Sequence, residues 1–148
     1  MNDIRVGHGY DVHALAEGLR LVLGGVEIEH TKGCVAHSDG DVAIHAICDA
    51  LLGALAAGDI GKLFPDTSEE FRGIDSKILL RRGTGFVGES GYKISKLRPH
   101  IDAMREALAS TMGVECDRVS VKATTTEHLG FEGREEGVSA HAVVLIYR

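Results

Sequence analysis

Residues 39–61, "DGDVAIHAICDALLGALAAGDIG", decide how this chain folds. Ile44, Ile47, Leu51, Leu52 and Leu55 recur at the spacing of three and four that lines one face of an α-helix. Asp41 stands before the run as an N-cap, and Gly58 after it as a stop. Asp41, His45 and Asp49 are each four apart, so a polar stripe runs beside the apolar one. An amphipathic helix of this kind must bury its apolar face against another layer.

The layer is legible on either side. "IRVGHGYDVHAL" (4–15) reads as a short strand running into an extended stretch, and "LRLVLGGVEIEH" (19–30) as a hairpin around Gly24-Gly25. "KLFPDTSEEFRG" (62–73) is a loop rich in turn formers, and "DSKILLRR" (75–82) restarts a helical pattern. "GTGFVGESG" (83–91) then places four glycines in nine residues, which argues against helix at about 1 kcal/mol each. "PHIDAMREALASTMG" (99–113) is a helix, with Pro99 near its start and Gly113 after its end. "RVSVKATTT" (118–126) alternates like a strand, and "GVSAHAVVLIY" (137–147) is an apolar final strand. The expected fold is α/β, an α+β sandwich: a mixed four-stranded-type sheet with helices packed on one face. With no internal repeat and no linker, residues 1–148 read as one domain.

Composition narrows the function. A chain of 148 residues, 44% hydrophobic and 26% charged, is that of an ordinary globular protein. The formal net charge of -6 argues against a nucleic-acid surface, but a bound cation can still bring phosphate to an acidic protein. Cys34, Cys48 and Cys116 are odd in number and lack CxxC spacing, so neither a disulfide framework nor a zinc ribbon is suggested. No apolar run is long enough to span a bilayer. The expected location is the bacterial cytoplasm, or a plastid-type organelle for a mature form whose transit segment is gone.

Two constellations can carry chemistry. Asp11 and His13 are two apart, so on an extended segment both face one way. With His45 from the helix they make a set of three ligands suited to zinc, and Asp41 or Asp49 can orient an imidazole behind it. The same letters also spell a solvated helix face beside a polar strand end. "AHSDGD" (36–41) adds His37, Ser38 and Asp39 on the approach to a helix N-terminus, a place for an anion or simply a capping turn. In "KATTTEHLGFEGR" (122–134), Thr124, Thr125 and Thr126 can donate to phosphate oxygens and Glu127 can hold Mg²⁺, with Lys122 and Arg134 supplying positive charge. A strand entering a polar loop has the same composition.

Other motifs fail. "GHGYDV" lacks the third glycine of a dinucleotide fingerprint, and neither GxxxxGK[ST] nor HExxH occurs. Gly7 and Gly9 read instead as positions of close backbone approach. No Gly-x-Ser-x-Gly elbow is present either.

Taken together, "RVGHGYDVH" (5–13), the long block 33–73 and "VKATTTEHLGFEGREEGVSAHAVVL" (121–145) resemble the 2-C-methyl-D-erythritol 2,4-cyclodiphosphate synthase family. The resemblance implies a homotrimer with active sites between adjacent subunits. It also implies a metal-dependent reaction in non-mevalonate isoprenoid biosynthesis that closes a cyclic diphosphate on a cytidyl diphosphate substrate and expels CMP. Asp11, His13 and His45 then match zinc ligands, and Glu127 the ligand of a second cation, Mg²⁺ or Mn²⁺. Asp11 and His13 also count among the substrate-binding positions, with His37 and Ser38. His37 and Thr125 match stabilisers of the transition state. Asp59, Ile60, Gly61, Phe64, Pro65 and Asp66 match the pocket for the methylerythritol phosphate end. Thr124, Thr125, Thr126 and Glu127 match the cytidine diphosphate segment, with Phe131 and Arg134 as further contacts.

The chain departs from that pattern between Tyr92 and Pro99, where the family carries an added strand and a cytosine-binding loop. The shortfall is about a dozen residues, a strand and its loop. The expectation is a segment omitted from this stretch, since losing an interior strand would expose a sheet edge. A true deletion would leave Lys96 and Leu97 as the remnant. Two rival readings stand beside it: a zinc phosphohydrolase of other specificity using the same ligands, and a non-catalytic trimer that binds an isoprenoid or a protein, against which the three ligands together with "TTTE" argue.

Overall fold

The computed structural model describes residues 3–63, 73–90, 93–94, 102–124 and 126–147. Its first element is one long strand, β1 (Ile4–Glu17), rather than a short strand with an extended tail. β2 (Leu21–Leu23) and β3 (Val26–Ile28) form the expected hairpin, with Gly24 and Gly25 both at positive φ in its turn. β4 (Lys32–Cys34) returns antiparallel to the end of β1. β5 (Lys93–Ile94) and the final strand β6 (Gly137–Tyr147) complete a sheet of order β4-β1-β6-β5. The expected four strands are present, and every described ladder is antiparallel rather than mixed.

β1 and β6 pair along eleven positions, from Ile4↔Tyr147 to Ala14↔Gly137. Alternation then sorts each strand into two faces. Gly7, Gly9, Ala142, Val144 and Ile146 are buried under the helices, whereas Ile4, Val6, Tyr10, Val12, Val143 and Leu145 remain exposed on the opposite face.

The helix α1 (Val42–Ala54) lies across β1 and β6. Asp41 caps it as expected, accepting from the Ile44 N–H at 3.0 Å. The stop comes earlier than Gly58. Leu55 is the C-cap, Ala56 takes the left-handed region at φ 56°, and Ala57 N–H donates to Leu52 O at 2.9 Å. That closure satisfies the last carbonyls with alanine where glycine is usual, at about 1–2 kcal/mol of backbone cost.

α2 (Ile60–Leu63) is a single turn, and α3 (Ser76–Glu89) runs straight through the glycines expected to break it. Leu79, Leu80, Gly83 and Val87 form its buried stripe, and Gly83 faces Leu51, from which a methyl group there would lie 3.9 Å away in ordinary contact. Each buried Leu or Val contributes about 1.5–3 kcal/mol, enough to outweigh the poor propensity. α4 (Asp102–Met112) ends at Gly113, with φ 67°, as expected. A short 3₁₀ turn (Cys116–Arg118) follows, and residues 119–124 belong to no strand. The alternation in "RVSVKATTT" thus did not become a strand, because among the described residues no sheet edge pairs with it. α5 (Gly130–Gly133) precedes β6. The core between helices and sheet gathers Ile44, Leu51, Leu80, Leu108, Val144 and Ile146.

Candidate metal centre

Asp11 and His13 project from the helix-covered face of β1, and His45 meets them from the second turn of α1. The meeting depends on how closely α1 sits on β1. A methyl group at Gly7 would lie 1.8 Å from Ala50 O, and one at Gly9 would lie 2.0 Å from Ala46 O. Only glycine permits that approach, so the expectation for both glycines is met.

Three donor atoms then stand at the corners of a triangle. Asp11 Oδ2 is 3.0 Å from His45 Nδ1 and 3.2 Å from His13 Nε2, and the two ring nitrogens are 3.2 Å apart. Three ligands of one tetrahedral ion at 2.0–2.1 Å are about 3.3 Å apart, so the spacing fits such an ion. The donor chemistry fits zinc as well: two imidazoles and one carboxylate, with no fourth protein ligand among the described residues. Among the described residues this is the one group of three or more His, Cys, Asp or Glu side chains that converges in this way.

Electrostatics prepare the ligands. Burial pushes the Asp11 carboxyl up, but the adjoining imidazoles of His45 and His13 outweigh it and hold Asp11 below its ordinary value. Burial pushes His13 down, more than Asp11 pulls it up, so its imidazole sheds its proton more readily than a free one.

Neither carboxylate expected to orient an imidazole does so. Asp41 is fully buried and accepts from the backbone N–H groups of Gly24 at 2.9 Å, Gly25 at 2.6 Å and Ile44. It ties the hairpin to the start of α1, since one carboxylate accepts from backbone N–H groups of both. Asp49 accepts from Ile60 N–H at 3.3 Å. The groups on the far side of His45 are Ser76 Oγ at 2.9 Å and Ser38 Oγ at 3.1 Å from Nε2. Ser76 in turn bonds Asp39 through both its hydroxyl and its N–H. Ser76 was not among the sequence candidates, and the signal available was only its place at the start of a second helix.

The remaining candidates fall around this centre. His37 is exposed, and its carbonyl accepts from Gly73 N–H at 2.8 Å, which ties the Ser38 turn to the approach to α3. Asp59 and Gly61 are exposed around α2, with Ile60 half-buried between them. Phe64, Pro65, Asp66, Thr125, Lys96 and Leu97 lie outside the described residues.

Thr124, Thr126 and Glu127 are exposed, and Glu127 is not part of the converging cluster. The segment is strained: Glu127 and His128 have φ of 54° and 63°, and Thr126 Oγ1 donates to Leu129 O at 2.6 Å. Consecutive left-handed residues other than glycine cost of order 1–3 kcal/mol each and concentrate at functional segments. The Phe131 ring packs against Gly137, and Arg134 forms a two-pronged pair with Glu136 at 2.9 Å on each prong.

The fold and the site define a small α+β protein with a two-histidine, one-carboxylate metal centre where a strand meets a helix. The chain belongs to the YgbB family, which it matches over residues 4–147. The 2-C-methyl-D-erythritol 2,4-cyclodiphosphate synthase of Thioalkalivibrio sulfidiphilus is 57% identical over 157 aligned positions, covering 99% of this chain and 98% of that protein. A solved structure of 2C-methyl-D-erythritol-2,4-cyclodiphosphate synthase in a CDP-bound form is 40% identical, covers 96% of this chain and 99% of that one, and has a TM-score of 0.85. The bifunctional IspDF of Campylobacter jejuni, also 40% identical, reaches a TM-score of 0.90 over 99% of this chain, which spans 43% of that protein's length. An alignment of 157 positions against a chain of 148 residues leaves at least nine positions with no residue here.

Proposed function

We propose that this chain converts 4-diphosphocytidyl-2-C-methyl-D-erythritol 2-phosphate into 2-C-methyl-D-erythritol 2,4-cyclodiphosphate and CMP, in non-mevalonate isoprenoid biosynthesis. One observation carries the reading: relatives named for that synthase match the chain nearly end to end, with identity at more than half of the aligned positions. In reaction class this is a phosphorus–oxygen lyase. A 2-phosphate oxygen forms a bond to the β-phosphorus while the bond from that phosphorus to the CMP oxygen breaks, and CMP leaves with the electron pair.

Asp11, His13 and His45 would hold zinc, which supplies Lewis-acid polarisation of the β-phosphate when bound. The chain's own residues do the rest by positioning, since phosphoryl transfer asks for alignment and charge stabilisation more than for a nucleophile. Ser38 and His37, on the turn entering α1, contact the substrate phosphates, and His37 stabilises charge as it develops. Asp59, Ile60 and Gly61, with Phe64, Pro65 and Asp66, hold the methylerythritol end. The hydroxyls of Thr124, Thr125 and Thr126 donate to the diphosphate, and Glu127 would hold Mg²⁺ or Mn²⁺. Phe131 and Arg134 complete the contacts. The CDP found with a solved relative supports a cytidine diphosphate substrate.

The working unit in this reading is a homotrimer in which Thr124–Glu127 of one subunit meet the metal centre of the next. Two features support it: the apolar outer face of β1 and β6, and the separation of Glu127 from the metal cluster. Residues 1–148 act as one domain in the cytoplasm, and no described helix is long and apolar enough to cross a membrane. The test is incubation with the cytidyl substrate, zinc and Mg²⁺, followed by chromatography of the products. The reading requires CMP and the cyclic diphosphate in equal amounts; inorganic phosphate without a cyclic product would sink it in favour of a phosphohydrolase.

A further inference from the structure

We infer that Ser76 and Asp39 are positioning residues for the metal centre, fixing which nitrogen of His45 faces the ion. The inference rests on the reading that Asp11, His13 and His45 hold a divalent cation.

An ionised carboxylate only accepts, and a serine hydroxyl has one proton to give. Ser76, fully buried at the first position of α3, points that hydroxyl at Asp39 Oδ1 while its backbone N–H donates to Asp39 Oδ2 at 2.8 Å. With its proton committed, Ser76 Oγ presents a lone pair to His45 Nε2, 2.9 Å away. Nε2 must therefore carry hydrogen. Ser38 Oγ, which already accepts from Gly40 N–H at 3.3 Å, stands 3.1 Å from the same nitrogen as a second acceptor.

The opposite nitrogen inherits the consequence. With Nε2 protonated, a neutral His45 offers the lone pair of Nδ1 towards Asp11 Oδ2 and His13 Nε2. Two lone-pair atoms 3.0 Å apart repel unless positive charge lies between them, so the relay prepares the triangle for a cation. Asp39 is anchored in its turn, since its Oδ1 also accepts from Asp41 N–H at 3.2 Å. The start of α3 is thereby coupled to the metal centre through a single hydroxyl.

The test compares wild type, Ser76→Ala, Ser76→Thr and Asp39→Asn. Zinc affinity is measured by competition with a chromophoric chelator, the Co²⁺-substituted spectrum is recorded, and ¹⁵N NMR of the zinc-loaded protein assigns the His45 nitrogens. Ser76→Ala and Asp39→Asn should each lower zinc affinity by about 10- to 100-fold and alter the Co²⁺ bands. Ser76→Thr, which keeps the hydroxyl, should restore both, and wild-type His45 should show Nδ1 bound and Nε2 protonated. Asp39→Asn breaks the relay from its half-buried end and carries the test where Ser76→Ala does not fold. Wild-type affinity and spectrum in the folded relay variants, or Nε2 coordination in wild type, would overturn the inference. A wild-type chain that binds no zinc would instead overturn the metal reading on which it rests.

Discussion

Gly9 and Ala46 touch backbone to backbone: a methyl group on Gly9 would lie 2.0 Å from the Ala46 carbonyl oxygen and 2.7 Å from Ala50 N. Helix α1 thus lies on β1 with no side chain between them, and His45 is the residue next to that contact.

Gly9→Ala should therefore damage stability and metal binding together. Overpacking costs about 1–3 kcal/mol where side chains can shift, and here the obstacle is helix backbone, so the upper end applies. A loss of 3 kcal/mol lowers Tm by roughly 10 °C in a chain of this size. Lifting α1 also spreads the donor triangle, so zinc affinity should fall at least about tenfold, by analogy with the loss of supporting groups around metal ligands. Calorimetry of metal-free protein and a zinc titration check the two halves. Unchanged Tm and affinity would show that the helix does not need the contact.

Zinc binding should be insensitive to pH from about 8 to 6.5 and weaken below that. The ion competes with protons for Asp11 and His13, and both are held below their ordinary values of 3.8 and 6.5. The stability of the metal-free protein has the same sign. Below pH 6.5 the unfolded chain takes up the His13 proton before the folded one does, and near 3.8 the same holds for Asp11, so stability falls as acid is added. Isothermal titration at stepped pH values measures the effect. A drop in affinity already between pH 8 and 7 would put His13 above its ordinary value and contradict the burial that lowers it.

Asp41→Ala should cost about 3 kcal/mol, through loss of a helix cap and the stranding of buried hairpin N–H groups. Asp49→Ala removes one longer hydrogen bond from a half-buried position and should cost less than about 1 kcal/mol. Urea unfolding of the two variants side by side decides the matter; equal losses would mean that Asp41 is only a cap and does not tie the hairpin down.

That contrast marks what was legible in the sequence. Asp11, His13 and His45 could be assembled from a period of two on a strand and of four on a helix, because each spacing fixes a direction. The role of Asp41 could not be read the same way. Its stripe position allows it to face His45 or the hairpin, and Gly24 and Gly25, seventeen and sixteen residues earlier, settle the choice. Ser76 and Asp39 were illegible because their contact requires the start of α3 to dock against the turn before α1, a tertiary event with no local pattern. The glycines after Arg82 misled for the opposite reason: propensity argued against helix there, and burial of Leu79, Leu80 and Val87 overrode it. In residues 119–124 alternation alone could not supply a strand with a partner.

The outer face of the sheet yields the prediction that separates metal binding from catalysis. Ile4, Val6, Tyr10, Val12, Val143 and Leu145 are exposed there, and an apolar surface of this kind calls for a partner. In the proposed trimer, the 15.8 kDa chain should sediment at three times that mass. Val6→Lys combined with Val143→Glu should dissociate it, because charges buried at an interface without good partners cost several kcal/mol. The dissociated protein should still bind one zinc per chain, since all three ligands come from a single chain. It should nonetheless lose at least about a hundredfold in CMP release, because the Thr124–Glu127 segment would no longer meet a neighbour's metal centre and misplaced groups forfeit that much rate. Analytical ultracentrifugation, zinc analysis and the CMP assay on one preparation give all three readings. A monomeric wild type, or a dissociated variant with full activity, would place the whole active site within one subunit and end the case for sites shared between subunits.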